Sequence, residues 1–554
     1  MKAFFFTLIL TAVLIAAIIF LQSLPQPAKV RRGEPRTPMT VKSEPAKLPV
    51  VERDVEKMNR DALFDTGVEL LDLWHLPEAI GLFEAVVNRD STHVGAYLKL
   101  VECYSHPTVA LESEARRCLD EALRVCRRTR ADTLWATALG SHYLADDPDR
   151  TLAFLRKLNQ KASRSDDATL LLGAAYLEKG DVDQVERLVG TLLNRDPSLG
   201  RAKELYIRSK VARGAYADAE RLAKDLAAVY PEEPYPYVLL SQVLLLRGEA
   251  DESLEFANNA LRLDPRYIPA IVSRAQIDAA QGEFEAARVN FEKLLLFEKP
   301  MLSAIAMDGI SYVEFLTGSF EQATRDMDEA IRMAMSAGST RQGLLYAFRF
   351  MDCLCQLGRP DLAEAVLERW VTHSGEIPSS LGQLRILIAK GEMQDVRHGL
   401  EEIKNEPEWR SWMRWLEIDY TDISALSLMQ ESDFAGALAL MDSAGPVDAS
   451  GGRRAYLRGY AYFENGAAEQ AASALAQART QMRPLEFPYH SDPVLYVQSV
   501  FFSAEAALAR GESDEAKRYY ADFLDLWGDA EWDLKAVARA RAKLDTLAST
   551  PPDR

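Results

Sequence analysis

Residues 166–199 read DDATLLLGAAYLEKGDVDQVERLVGTLLNRDPSL, and this stretch decides the fold. Leu172, Gly173 and Tyr176 belong to a first helical run, Lys179-Gly180-Asp181 interrupts it, and a second run continues to Asp196-Pro197. Gly173 lets a partner helix approach closely. Gly180 falls where the first helix must stop, because glycine takes up the left-handed cap conformation without a Cβ penalty. Pro197 closes the second helix, since the residue before a proline is pushed out of the α region. The unit is a hairpin of two helices.

The same marks return along the chain. Gly180, Gly214, Gly248 and Gly282 stand 34 residues apart, and so do Pro197, Pro231 and Pro265, with Pro300 following at 35. A small residue sits five positions after each turn glycine: Ala219, Ser253 and Ala287. It is expected to pack into the first helix of its own hairpin. Two kinds of marker that share one stride and one phase indicate stacked copies of one supersecondary unit.

This pattern resembles the tetratricopeptide repeat, whose 34-residue signature is W-x2-L-G-x2-Y…A-x3-F…P. The best matches cover 166–299. Ala79-x3-Phe83 and the set Trp135, Leu139-Gly140, Tyr143 extend the series upstream, with Trp135 one residue out of register. Gly318 with Ala323, Gly358 with Ala363, Gly459-x2-Tyr462 with Gly466 and Ala471, and Gly511 with Ala516 extend it downstream. The resemblance implies an all-α, right-handed superhelical solenoid of about twelve hairpins. The array is expected over 51–376. A degenerate stretch follows over 377–450, keeping only Gly391 and Phe434-x2-Ala437. C-terminal repeats and a capping helix then occupy 451–548. The cap is expected near Leu534–Leu547, with Lys535, Arg539, Arg541 and Lys543 on a solvated outer face.

The resemblance also implies a concave groove lined by the first helices. Carried onto this chain, the groove positions are Arg201, Arg208, Gln242, Gln276, Tyr312, Phe315, Tyr456, Tyr460 and Phe463. Aromatic and arginine side chains supply contact area and fixed donors, yet the same aromatics serve equally as packing between neighbouring repeats. No paired lysines and asparagines that would clamp a terminal carboxylate are found. Trp409, Trp412 and Trp415 share one helical face, as a thickened core or as a docking surface.

The N-terminus has a different character. Ala3 to Leu21 is apolar apart from Thr7 and Thr11, and as a helix it would reach ~28 Å, close to bilayer thickness. A retained transmembrane anchor over 3–21 is expected, followed by a proline-rich tether over 22–50. The implied location is a cell (inner) membrane, crossed once. Lys29, Arg31, Arg32 and Arg36 favour a cytoplasmic repeat domain, whereas the Met-Lys start favours the outer, periplasmic side.

Composition limits the function. The 554 residues are 48% hydrophobic and 27% charged, which suits a folded chain too long for one compact core. A net charge of −18 argues against nucleic acid as a partner. The cysteines are Cys103, Cys118, Cys126, Cys353 and Cys355, an odd and sparse set that implies no disulfide framework. None of the seven histidines falls in a zinc motif, and no nucleophile elbow or phosphate loop is present. The expectation is a non-enzymatic scaffold that binds other proteins or peptide segments, without cofactor, metal or small-molecule substrate. An envelope assembly machine is the expected setting. The alternative is a chaperone-like or regulatory adaptor that holds peptide segments in the groove.

Overall fold

The computed structural model describes residues 57–549 except 107–108, 110, 130–132, 145–147, 162–165, 198, 375–378, 406–419, 444–451 and 483–491. Backbone contacts divide the chain into 1–51 and 52–554, and everything below concerns the second unit.

The described residues form helices. The first eight are α1 (Arg60–Asp72), α2 (Leu76–Arg89), α3 (Val94–Ser105), α4 (Glu112–Thr129), α5 (Leu134–Tyr143), α6 (Pro148–Lys161), α7 (Asp166–Glu178) and α8 (Val182–Arg195). The middle of the chain gives α9 (Gly200–Ala212), α10 (Tyr216–Val229), α11 (Pro234–Leu246), α12 (Ala250–Leu263), α13 (Ile268–Ala280), α14 (Phe284–Glu292), α15 (Pro300–Thr317), α16 (Phe320–Ser336), α17 (Thr340–Gln356) and α18 (Pro360–Val366). Then come α19 (Ser379–Lys390), α20 (Met393–Asn405), α21 (Tyr420–Gln430), α22 (Phe434–Ser443), α23 (Arg453–Glu464), α24 (Ala468–Gln481), α25 (Pro493–Ala509), α26 (Ser513–Trp527) and α27 (Lys535–Ser549). Each odd-numbered helix from α1 to α25 packs against the helix that follows it. The described part therefore holds thirteen hairpins and a last single helix, one hairpin more than expected.

The turn chemistry explains why the hairpins form. Gly180 has φ +73°, and the amide of Asp181 donates to the Tyr176 carbonyl at 2.9 Å while that of Gly180 donates to Leu177 at 2.9 Å. This is a Schellman cap, and Ala215→Lys210, Glu249→Leu244 and Glu283→Asp278 repeat it. Five residues on, Ala219, Ser253 and Ala287 are fully buried, and the Ser253 hydroxyl donates to the Ser241 carbonyl of its own first helix at 2.7 Å. α8, α10 and α12 stop two residues short of Pro197, Pro231 and Pro265, as the proline rule requires. The close approach at Gly173 is made by the next hairpin, not by its own partner helix. A Cβ there would lie 2.7 Å from Leu205 Cδ2 of α9.

Two described hairpin turns depart from the rule: Ser432, at φ +63°, fills the left-handed slot of the α21–α22 turn five residues ahead of the buried Ala437, and the other is the first turn of the chain. In the α1–α2 hairpin the left-handed slot is filled by Trp74, at φ +64°, five residues ahead of the buried Ala79. The cap bonds are kept: His75 N donates to Leu70 O at 2.8 Å and Trp74 N to Leu71 O at 3.1 Å. A left-handed conformation costs a non-glycine residue about 1–2 kcal/mol, so contacts elsewhere must offset it.

In a simple solenoid each repeat touches only its neighbours. Here the chain folds back on itself. α25 and α26 pack against α15, and α25 also packs against α17. Trp527 Nε1 donates to the Phe315 carbonyl at 3.0 Å, Glu531 N donates to Gly318 O at 3.2 Å, and Glu321 N donates to Glu531 Oε2 at 2.7 Å. Phe320 lies between Trp527 and Trp532, with ring centroids 5.4 and 5.0 Å away. One continuous hydrophobic core consequently runs from Ile271 to Leu547. Each of its fully buried aromatic side chains contributes about 1.5–3 kcal/mol. α27 then covers the last hairpin. Arg539 pairs with the buried Glu505, so this helix is tied down by one of the charges expected to face solvent.

The expected anchor over 3–21 and tether over 22–50 lie outside the described residues. Among the described residues no helix is long and apolar enough to cross a membrane. The longest, α4 and α15, have 18 residues each; α4 is densely charged, and α15 carries Asp308 and Glu314 and buries its apolar side chains against protein. The single-pass inner-membrane location read from the sequence is therefore corrected: no described element supports it.

Candidate partner-binding surfaces

The turn between α1 and α2 reaches across to α9 and α11. Trp74 Nε1 donates to Glu204 Oε2 at 2.7 Å, and the indole lies 4.4 Å from the Tyr235 ring and 6.4 Å from that of Tyr230. His75 Nε2 is 2.8 Å from Glu233 Oε2. The hydrogen bond to Glu233 raises the His75 pKa above its usual value, against the opposing effect of burial. The first hairpin is thus clasped to the fifth and sixth.

Behind the clasp lies a cavity of about 620 Å³, walled by Leu71, Trp74, Trp135, Tyr143, Tyr235 and Val238 among others. Its cations are already held. Arg201 contacts Glu102, and its Nη1 lies 3.4 Å from both Asp72 and Asp167. Burial works against the Arg201 charge, but Glu102 and Asp72 outweigh it and keep the guanidinium pKa above normal. Lys99 bridges Glu102 and Asp167 at 3.2 Å each. Arg208 Nε donates to Glu204 at 3.1 Å, and the Tyr235 hydroxyl donates to the same carboxylate at 2.7 Å. Burial pushes the His106 imidazole down to about 4, so it is neutral near pH 7.

A second surface lies on the C-terminal hairpins. Phe434, Tyr460, Phe463 and Phe502 are half-buried and form one aromatic cluster. Phe502 is at its centre, 5.0 Å from Tyr460 and 5.8 Å from Phe463, and Phe434 meets Tyr460 at 6.2 Å.

A family profile described as tetratricopeptide repeat matches residues 142–206. Over that stretch the chain matches the tetratricopeptide repeat. Two curated proteins are similar to the chain at low identity. Anaphase-promoting complex subunit 3 of Schizosaccharomyces pombe is 24% identical over 196 residues, which is 34% of this chain and 29% of that protein. The CTR9 homolog protein of Arabidopsis thaliana is 21% identical over 187 residues, 30% of this chain and 17% of its own length. The chain thus spans less than a third of either. The solved structure of yeast Tom70 aligns over 88% of this chain and 96% of its own at 14% identity, with a TM-score of 0.26, too low to bear on the arrangement of the repeats.

The repeat positions expected to line the groove divide into three groups. Arg201, Arg208 and Gln242 come together on the wall of the cavity. Gln276, Tyr312 and Phe315 are buried. Tyr312 and Phe315 lie on α15, on which α25 and α26 pack; the Phe315 ring lies within 6.4 Å of the Phe320 and Phe350 rings of its own and the next hairpin, and its carbonyl accepts from Trp527 Nε1 of the fold-back. They are core residues, and their assignment to an open groove is corrected. Tyr456, Tyr460 and Phe463 are neighbours, but Tyr456 is buried and its hydroxyl donates to Gln498 at 2.8 Å. Trp409, Trp412 and Trp415 lie outside the described residues. Reading the repeats by position missed Trp74, Glu204, Tyr235 and Phe502. Trp74 carried a signal, since it stands where the repeat wants glycine. Phe502 carried none, because its neighbours come from α22 and α23.

Proposed function

We propose that this chain is a protein–protein interaction scaffold with no catalytic role of its own, and that its main partner contact is the aromatic cluster of Phe434, Tyr460, Phe463 and Phe502. The observation that carries the reading is the half-buried state of these four rings on repeat helices. Aromatic side chains that are rigidly seated but still reachable are the residues that dominate binding energy at interfaces. The tetratricopeptide repeats support it, as does the name of one relative, a subunit of a multi-protein complex. The narrower expectation of an envelope machine rested on fold analogy together with an expected membrane anchor and is not carried forward.

The test is quantitative crosslinking of the full chain in its native cell, comparing wild type with Tyr460→Ala/Phe463→Ala. The reading predicts that specific partners are lost at least ~10-fold while the thermal midpoint shifts by only a few degrees, since hot-spot aromatics cost ≥ ~2 kcal/mol each. Unchanged partner recovery by a folded double variant would remove the cluster from the interface.

A further inference from the structure

Phe502, at the centre of the C-terminal aromatic cluster, is held from beneath. The buried rings of Tyr456 and Phe501 back it, with centroids 6.3 and 5.3 Å away. A seat fixed before binding loses little freedom when an apolar side chain arrives on it.

The rim of this seat is acidic. Asp433 immediately precedes Phe434, Glu464 immediately follows Phe463, and both are exposed. Burial first, and then the Glu464 charge, raise the Tyr460 hydroxyl pKa above its usual value, so Glu464 stands close to the rings. Asp433 Oδ1 accepts from Gly436 N at 2.9 Å and caps α22. Among the described residues neither carboxylate is paired with a lysine or arginine. The helices that carry the rings supply no compensating charge. α22 and α25, the source of Phe434 and Phe502, contain no lysine or arginine at all. The three arginines of α23, Arg453, Arg454 and Arg458, are each paired with an aspartate. Arg510, which ends α25, is held by three glutamates.

A rim carboxylate loses hydration when a partner docks and needs a cation in return, and interfaces match acidic patches with basic ones. The same charge repels anionic lipid and nucleic-acid phosphates, which leaves a protein segment as the occupant. Granted the docking role proposed for the cluster, on which this rests, we infer that its occupant is a basic, apolar segment of a partner protein. An aromatic or leucine side chain sits on the rings, and lysine or arginine on either side faces Asp433 and Glu464.

Three dye-labelled, end-blocked peptides are the probes: Lys-Lys-Trp-Leu-Lys-Lys, Gln-Gln-Trp-Leu-Gln-Gln and Glu-Glu-Trp-Leu-Glu-Glu. Each is titrated into the full chain by fluorescence anisotropy at about 50 mM salt, where screening is weak. The basic peptide should bind saturably and at least ~10-fold more tightly than the neutral one, with the acidic one weaker still. Asp433→Asn/Glu464→Gln should bring the basic peptide to within ~3-fold of the neutral one. Asparagine keeps the helix cap, and both positions are exposed, so this variant folds and decides the charge claim by itself. It removes two of 83 acidic residues, so its effect reports the rim and not the charge of the whole chain. Tyr460→Ala/Phe463→Ala should weaken the basic peptide at least ~10-fold. Equal binding of all three peptides that still depends on the rings overturns the basic occupant and leaves the docking role standing. Binding of the basic peptide that a folded ring variant leaves unchanged overturns both. The basic occupant is also overturned if that peptide does not bind saturably, or if its preference survives in Asp433→Asn/Glu464→Gln.

Discussion

Replacing Trp74 by alanine, and separately by glycine, tests the clasp and separates its two components. The indole is half-buried against Tyr235 and Tyr230 and donates to Glu204. Removing ~100 Å² of buried apolar surface costs about 2.5 kcal/mol at 25 cal/mol per Å². Losing a hydrogen bond to a carboxylate that keeps Tyr235 and Arg208 as partners adds ~1 kcal/mol. Both variants forfeit these contacts, about 3–4 kcal/mol in total. They differ in the backbone. At φ +64° alanine retains the left-handed strain that glycine relieves, so Trp74→Gly should be about 1 kcal/mol more stable than Trp74→Ala. Urea titration with hydrogen exchange at the amides of α9 and α11 measures both numbers, since release of the clasp should lower protection there first. Equal stabilities for the two variants, or a more stable alanine variant, would refute the left-handed assignment. Unchanged protection in α9 and α11 would refute the clasp.

Other residues give independent checks. The His75 pKa lies above its usual value because of Glu233, so this contact adds stability below the unfolded-state value near 6.5 and loses it as pH rises through the folded one. An NMR titration should show Glu233→Gln bringing the His75 pKa down. Burial, then Asp326, pushes the Glu314 carboxyl up to about 8, so its ionisation opposes folding as pH climbs from about 4.5 through 8. Glu314→Gln should be more stable than wild type by ~2 kcal/mol at pH 9 and no more stable at pH 5, as thermal melts at the two pH values will show. Arg454 and Asp422 form a buried ion pair at 2.8 Å, so Arg454→Met should cost about 3–5 kcal/mol by leaving the carboxylate stranded. Adding Asp422→Leu should recover most of that loss in urea denaturation.

How far the sequence carries can be followed residue by residue. The hairpins are legible because a turn is local: Gly214 must take a positive φ and Pro231 must end a helix wherever the chain later goes. The same logic covers Ala219 and Ser253, which pack within their own hairpins. Phe315 shows the limit. Its repeat position suits an open groove, but a hairpin about two hundred residues later fills that space. Nothing near Phe315 announces Trp527, because fold-back depends on the summed curvature of many repeats and not on any one of them. Trp74 is intermediate. Its place five residues before Ala79 shows a glycine slot misused, whereas the partners that compensate, Glu204 and Tyr235, emerge only in three dimensions.

The fold-back of the last hairpin onto α15 and α16 is the claim on which the corrected groove depends, and one distance tests it. Spin labels at the exposed positions Arg325 and Asp529 bracket the Glu321–Glu531 contact. The folded-back arrangement predicts an inter-label distance of roughly 30 Å or less by pulsed electron resonance, a contact plus a helical turn and the label arms. An extended stack of hairpins, each adding ~10 Å over the five steps from the α15–α16 hairpin to the α25–α26 hairpin, would give ~50 Å and contradict it.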